Sequence, residues 1–341
     1  MRSIDGMPLT MPGGSQDAAP APYRSPSWLP GGHAQTIYPY FLDRPAVTYR
    51  RERVATPDGD FWDFDWLVAR QATPTGAPLV VLFHGLEGGA QSHYALMLMA
   101  VLAARGWRGV IPHFRGCGGE PNLLPRAYHS GDHDEVAAML AALRERVGPG
   151  TPMYAVGVSL GGSALLNWLG RAGSDAQRVL VAAATVSAPL DLMAAGIAIG
   201  QGLNRIYTRY FLRTLKPKGL DMERRFPGLL DRRRIVQART MWDFDDAVTA
   251  PLHGFAGVDD YWTRASSKRW LAEVRLPTLV LNARNDPFVP GASLPDAREV
   301  SRAVRLEQPD TGGHVGFMTG PAPGRLEWLP RRLLAYFARG H

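Results

Sequence analysis

The chain has 341 residues, 45% hydrophobic and 20% charged, with a net charge of +7, which is the composition of an ordinary globular protein and excludes low-complexity or collagen-like classes. Its single cysteine, Cys117, excludes an intramolecular disulfide and fits a reducing compartment. Only Lys216, Lys218 and Lys268 are lysines, and without an aromatic–basic repeat or nucleic-acid motif the remaining, arginine-borne positive charge does not point to nucleic acid.

Met1 to Pro30, rich in Pro, Gly, Ser and Ala, is expected to be a flexible tail, leaving residues 31–341 as the folded domain. The tail lacks the apolar stretch of an export signal and no run approaches a membrane span, so the expected location is cytoplasmic. Val47 to Val54 and Phe61 to Ala69 read as strands of a hairpin around Thr56-Pro57-Asp58-Gly59-Asp60. Short continuous apolar runs then follow at Leu79 to Phe83, Gly109 to Pro112, Met153 to Val156, Val179 to Thr185 and Thr278 to Leu281. Strands covered on both faces look like this. Helical patterns at Tyr94 to Ala104, Asp132 to Arg146 and Leu160 to Leu169 alternate with them, and a last strand at Leu306 to Gln308 precedes a helix near Arg325 to Ala338. The expected class is α/β: a mostly parallel sheet with helices on both faces. Residues 190–266 break the rhythm and are too long for a simple crossover, so they are expected to be a helical cap insertion. Within it, Leu203, Ile206, Tyr207, Tyr210 and Phe211 share one helical stripe, expected to cover the core, and Arg205, Arg209 and Arg213 share another that faces solvent or, alternatively, as the basic face of a cap over the active site, touches acidic groups or lipid head groups.

Gly157-Val158-Ser159-Leu160-Gly161 joins a predicted strand to a predicted helix. A serine at such a turn is lifted out of the sheet with its Oγ exposed and a helix N-terminus behind it, the arrangement of a nucleophile elbow. The pentapeptide alone also fits a glycine-rich turn with a capping serine, so its partners decide the reading. Serine needs a base, and in this arrangement the acid and then the histidine follow it in sequence. After Ser159 come only His253, His314 and the terminal His341. His314, in Asp310-Thr311-Gly312-Gly313-His314-Val315-Gly316, has the flexible loop that reaching back requires. Asp286, in the loop after the strand Thr278 to Leu281 and fixed by Pro287, is the expected acid; Asp191 and Asp310 are rivals without that setting. The amides of Leu160 and of Leu86, in His84-Gly85-Leu86-Glu87-Gly88-Gly89, are the expected oxyanion donors, and His84 is expected to fix that loop.

His129-Ser130-Gly131-Asp132-His133-Asp134 contains metal-ligand types, but not the spacing of a metallohydrolase, and Asp132 is expected to cap a helix. Its His129 and Asp134 also match a short H-x4-D spacing associated with acyl transfer. Cys117, in Arg115-Gly116-Cys117-Gly118-Gly119, has no base beside it and is expected to pack; that loop lacks the Gly-Lys-Ser/Thr of a phosphate loop.

Several stretches taken in order resemble the YheT-like branch of the α/β-hydrolase superfamily, related to eukaryotic abhydrolase-domain lipases and plant embryogenesis-associated esterases. They are Gly31-Gly32-His33-Ala34-Gln35-Thr36, His84 to Gly88, Phe114 to Gly119, Tyr128 to Gly131, Gly157 to Gly162, Asn285-Asp286-Pro287 and Gly312-Gly313-His314, with Trp242 to Asp246, Tyr261-Trp262 and Ser266-Ser267 in the insertion. The resemblance implies a capped α/β-hydrolase fold, a Ser159–Asp286–His314 triad, and carboxylesterase or monoacylglycerol-lipase-like activity without cofactor or metal. Acyl transfer through the same acyl-enzyme and a non-catalytic ligand-binding module are the alternatives. An ester or lipid substrate, with peripheral lipid contact and no transmembrane segment, is the expected partner.

Overall fold

The computed structural model describes residues 20–69 and 73–339. Among the described residues eight strands form one sheet in the order β1-β2-β4-β3-β5-β6-β7-β8. β1 (Tyr49–Ala55) and β2 (Phe61–Leu67) make the expected hairpin. The other strands are β3 (Leu79–Phe83), β4 (Arg108–Pro112), β5 (Met153–Val158), β6 (Ala182–Val186), β7 (Thr278–Leu281) and β8 (Val304–Glu307), all parallel to one another. Within this sheet the β1–β2 and β2–β4 pairings are antiparallel. Every residue of β3, β5, β6 and β7 is buried, which is why these strands read as unbroken apolar runs. Alternate side chains serve opposite layers: Leu79, Val81 and Phe83 join one apolar cluster, Val80 and Leu82 the other.

The helices are, in order, α1 (Gly32–Ile37), α2 (His93–Ala104), α3 (His133–Val147), α4 (Leu160–Ala172), α5 (Leu192–Ile199), α6 (Arg205–Arg225), α7 (Arg232–Gln237), α8 (Met241–Phe244), α9 (Ala250–Leu252), α10 (Val258–Ala265) and α11 (Trp328–Phe337). α3 and α4 cover one sheet face, α2 and α11 the other. α5 to α10 lie between β6 and β7 and carry apolar clusters of their own, one around Leu212, Ile235 and Phe244 and one around Leu192, Tyr261 and Trp262. Among the described residues no helix is long and apolar enough to cross a membrane.

Three expectations shift. The strand expected from Val179 begins only at Ala182, because the Val179 and Leu180 amides close a turn on the Ala176 carbonyl. Of the expected tail, residues 1–19 lie outside the described residues, but Tyr23 and Leu29 are buried. The Tyr23 ring meets Phe317 and Trp328, and its hydroxyl donates to the Met318 carbonyl, so packing begins before Pro30. The apolar stripe of α6 and the turn before it does not simply cover the core: Thr208, Leu212, Leu215 and Gly219 are the buried residues of α6, whereas Ile206, Tyr210 and, in the turn, Leu203 are 60%, 57% and 68% exposed.

Candidate active site

Ser159 stands between β5 and α4 with φ +53° and ψ −121°, a strained conformation that persists only where packing imposes it. Its amide donates to the Val186 carbonyl at 2.9 Å, and the Gly162 and Ser163 amides donate to its own carbonyl. A Cβ at Gly161 would stand 2.5 Å from both the Phe83 and His84 carbonyls. The turn therefore sits hard against the end of β3, and only glycine fits there.

Two loops from the carboxyl end of the sheet converge on the Ser159 hydroxyl. His314 Nε2 lies 3.0 Å from Ser159 Oγ, and His314 Nδ1 lies 2.8 Å from Asp286 Oδ2. The other Asp286 oxygen accepts from the Phe288 amide at 2.8 Å and the Val289 amide at 3.3 Å. The Asp286 side chain is fully buried and that of His314 is 11% exposed, with the Phe288 ring 4.3 Å from the imidazole. Such a chain holds the imidazole in one tautomer, with Nδ1 donating to the carboxylate and Nε2 free to accept from the serine. The rivals lie elsewhere: Asp191 caps α5 by accepting from the Ala194 amide, and Asp310 is exposed near Arg284.

The His314 loop is fixed by a segment some 280 residues away in sequence. The Thr36 hydroxyl accepts from the His314 amide at 2.8 Å and donates to the Gly32 carbonyl at 2.7 Å. Gln35 Oε1 accepts from the Gly312 amide at 2.9 Å and from Asn285 Nδ2 at 3.0 Å, while its Nε2 donates to the Leu29 carbonyl at 2.9 Å. Asn285 Oδ1 in turn accepts from the Gly313 amide. A Cβ at Gly32 would collide with the Asn285 carbonyl, and one at Gly316 with the Gln35 carbonyl. α1 is thus a wedge between the Asp286 and His314 loops. On the other side the Ser187 hydroxyl accepts from the Val315 amide at 3.0 Å. The stretch Gly31 to Thr36 was visible as a motif, but nothing local announces its partners.

The loop after β3 lies against the elbow: a Cβ on Gly85 would stand 3.1 Å from Ser159 Cβ. The Gly85 amide donates to the Tyr94 hydroxyl and the Glu87 amide to the Tyr128 hydroxyl. Among the described residues no backbone carbonyl accepts from the amides of Leu86 or Leu160; both residues line the same cavity as Ser159 and His314. His84 is fully buried and neutral, its pKa pushed down to about 3 by burial. Its Nδ1 donates to the Gly85 carbonyl at 2.8 Å and its Nε2 accepts from the Phe114 amide at 3.3 Å, so it fixes the loop.

The cavity has a volume of about 460 Å³ and runs from Ser159 under the insertion, between mostly apolar walls that include Leu192, Ile199, Phe211, Leu215, Met241 and Phe244. At its rim Lys218 pairs with Glu87 at 2.6 Å. Asp245, which also lines the cavity, is buried; burial raises its pKa to about 6 while Thr249 and Trp262 donate to it. The remaining sequence candidates resolve differently. Asp132 occupies the N-cap position of α3 but makes no side-chain cap bond; its Oδ1 accepts instead from Arg126 at 2.7 Å. His129 is buried with its ring 4.4 Å from that of His253, whereas Asp134 is exposed beside His133. Among the described residues no three His, Cys, Asp or Glu side chains converge as a metal site would require. Burial raises the Cys117 thiol to about 11, which keeps it protonated and a poor nucleophile.

Residues 78–321 match the family model described as alpha/beta hydrolase fold, and the chain belongs to that family. YheT of Escherichia coli (strain K12), provisionally named an esterase, is 37% identical over 304 residues, covering 88% of this chain and 88% of its own. Phospholipase ABHD3 of Mus musculus is 32% identical over 311 residues, covering 89% of this chain and 75% of its own. Among solved structures, the Pyrococcus furiosus esterase Pf2001 shares the fold with a TM-score of 0.52 at 14% identity, covering 86% of this chain and 92% of that one.

Proposed function

We propose, with membership of the α/β-hydrolase family as the premise, that this protein hydrolyses carboxylic esters through an acyl-enzyme on Ser159. The observation that carries the reading is the unbroken hydrogen-bonded chain from Asp286 through His314 to Ser159, at the mouth of an apolar cavity. Ser159 Oγ attacks the ester carbonyl carbon as His314 Nε2 takes its proton, and Asp286 stabilises the imidazolium that forms. The Leu86 and Leu160 amides hold the resulting oxyanion, and loss of one such donor typically costs about 100-fold to 1,000-fold in rate. Collapse passes the proton from His314 to the departing alcohol. Water then attacks the acyl carbon with His314 as base, releasing the carboxylic acid and restoring the serine.

The insertion over residues 190–266 acts as the cap that shapes the acyl channel. Its apolar lining suits short to medium acyl esters or monoacylglycerol-like lipids, and the lipid-acting name of the mouse relative supports the same substrate class. The test is intact-mass labelling with a fluorophosphonate, alongside p-nitrophenyl ester turnover from acetate to laurate. One adduct mapped to Ser159, absent in Ser159→Ala and slowed in His314→Ala, is the expected result. A folded wild type that neither labels nor turns over any ester overturns the proposal and leaves a ligand-binding module.

A further inference from the structure

α6 presents three environments at once. Phe211, Leu215, Gly219 and Met222 line the cavity. At about 100° per residue, Arg205, Arg209, Arg213 and Lys216 fall in a neighbouring sector, where with Arg239 they line a groove that holds no acidic residue. None of these five cations has a carboxylate partner among the described residues; Lys216 donates to the Val236 carbonyl and Arg213 stacks on Tyr210. Elsewhere Arg51, Arg53, Arg115, Arg126 and Arg332 each pair with a carboxylate, while Arg44 and Arg144 are taken up by backbone carbonyls, so what sets the groove apart is five cations gathered without an acid among them.

Beside the basic sector runs an exposed apolar one, formed by Leu203, Ile206 and Tyr210. It continues onto the turn after α1, where Tyr40 and Phe41 are 56% and 78% exposed. The two segments are tied by the His33 ring, stacked on Tyr207 at 5.8 Å with Nδ1 3.1 Å from the tyrosine hydroxyl. Leucine, isoleucine, phenylalanine and tyrosine exposed together beside unpaired arginines form an amphipathic surface that water alone does not satisfy.

We propose that this face, the outer side of α6 with the turn after α1, docks on an anionic bilayer. The apolar residues enter the headgroup–acyl boundary and the arginines pair with lipid phosphates, their aliphatic stems lying along the surface. Charge selects this occupant. A second copy of the chain meeting itself here across a two-fold axis would oppose five cations with five more. A nucleic acid would satisfy the arginines but leave Leu203, Ile206 and Phe41 in water. Docking would set the cavity on the opposite side of the same helix next to the lipid from which an apolar ester must leave, but the binding itself does not require the ester hydrolysis proposed above.

The test is co-sedimentation of the full chain with extruded phosphatidylcholine vesicles, with and without about one third phosphatidylglycerol. Binding is expected with phosphatidylglycerol, weakening as NaCl is raised to about 0.5 M. Arg205→Gln/Arg209→Gln/Arg213→Gln should lower the partition coefficient about 100-fold, and Leu203→Ser/Ile206→Ser about tenfold or more. Both variants should turn over a water-soluble short-chain p-nitrophenyl ester at the wild-type rate, which reports folding and the reaction separately from docking. Absence of binding to phosphatidylglycerol vesicles overturns the proposal. So does binding that neither variant weakens, or duplex DNA bound as tightly as vesicles by both wild type and Leu203→Ser/Ile206→Ser.

Discussion

Thr36→Val separates the N-terminal wedge from every group that would meet substrate. Valine has nearly the shape of threonine, so packing is retained, but the hydroxyl that accepts from the His314 amide and donates to the Gly32 carbonyl is gone. Thr36 is 4% exposed, so water cannot readily replace it. A buried partner left unsatisfied costs about 1–3 kcal/mol; here it is the His314 amide, since the Gly32 carbonyl keeps the Thr36 amide as its helical partner within α1. If about 2 kcal/mol of that is expressed as misplacement of His314 in the transition state, kcat falls about thirtyfold, and the remainder appears as lost stability. The assay is kcat and KM for p-nitrophenyl butyrate, with the rate of fluorophosphonate labelling and the urea midpoint measured on the same samples. KM should stay within about twofold while kcat and labelling fall together, because both need the imidazole as base. Thr36→Ser, which keeps the hydroxyl, should restore most of the rate. A folded Thr36→Val enzyme with full kcat would refute the positioning argument, whatever happens to its stability.

Asp286→Asn should lower kcat by about four orders of magnitude with little change in unfolding midpoint, since Asn retains the oxygen that accepts from Phe288 and Val289 and turns an NH2 toward His314 Nδ1; steady-state kinetics and urea unfolding check both halves. Gly161→Ala should destabilise by about 3 kcal/mol or more, because the added methyl would meet two carbonyls at 2.5 Å, and a large drop in midpoint is the readout. Burial holds His84, His129 and His253 near pKa 3 and His93 near 4. Below the ordinary histidine value of 6.5 the unfolded chain therefore takes up protons that the folded chain refuses, and these groups cost stability as pH falls; Asp245, raised to about 6, acts in the opposite sense. His129→Asn should flatten the dependence of unfolding free energy on pH below 6.5 by up to about 1.4 kcal/mol per pH unit, and an unchanged slope would contradict its buried neutral state.

Much of the architecture was legible because its signals are local. Strands buried on both faces must be continuously apolar, and the strained turn at Ser159 needs small neighbours, so β3, β5, β7 and the elbow stood out in the one-dimensional pattern. The loops bearing Asp286 and His314 were found by their order after Ser159 and their placement behind strands. Periodicity was less informative on α6: it shows which residues share a side, not which side faces in, and Leu203, Ile206 and Tyr210 turned outward. Asp132 reaches the N-cap position expected of it but forms no cap bond, its Oδ1 pairing with Arg126 instead. The tasks of Gln35, Thr36 and Asn285 are not legible in the sequence, since their partners lie up to 278 residues away and no local rule pairs them.

The wedge also recasts what a self-sufficient unit of this chain would be. The sheet and its covering helices can be outlined without residues 20–48, yet that stretch supplies the groups that grip both loops behind Ser159. It relates to the rest of the molecule as a tightly bound peptide ligand relates to its receptor, with covalent attachment merely keeping its effective concentration high. A variant shortened to remove α1 should then be a receptor with an empty groove, inert until a synthetic peptide spanning residues 20–48 is added. Engineering that trims or fuses near the start of the chain would in effect be adjusting an activator.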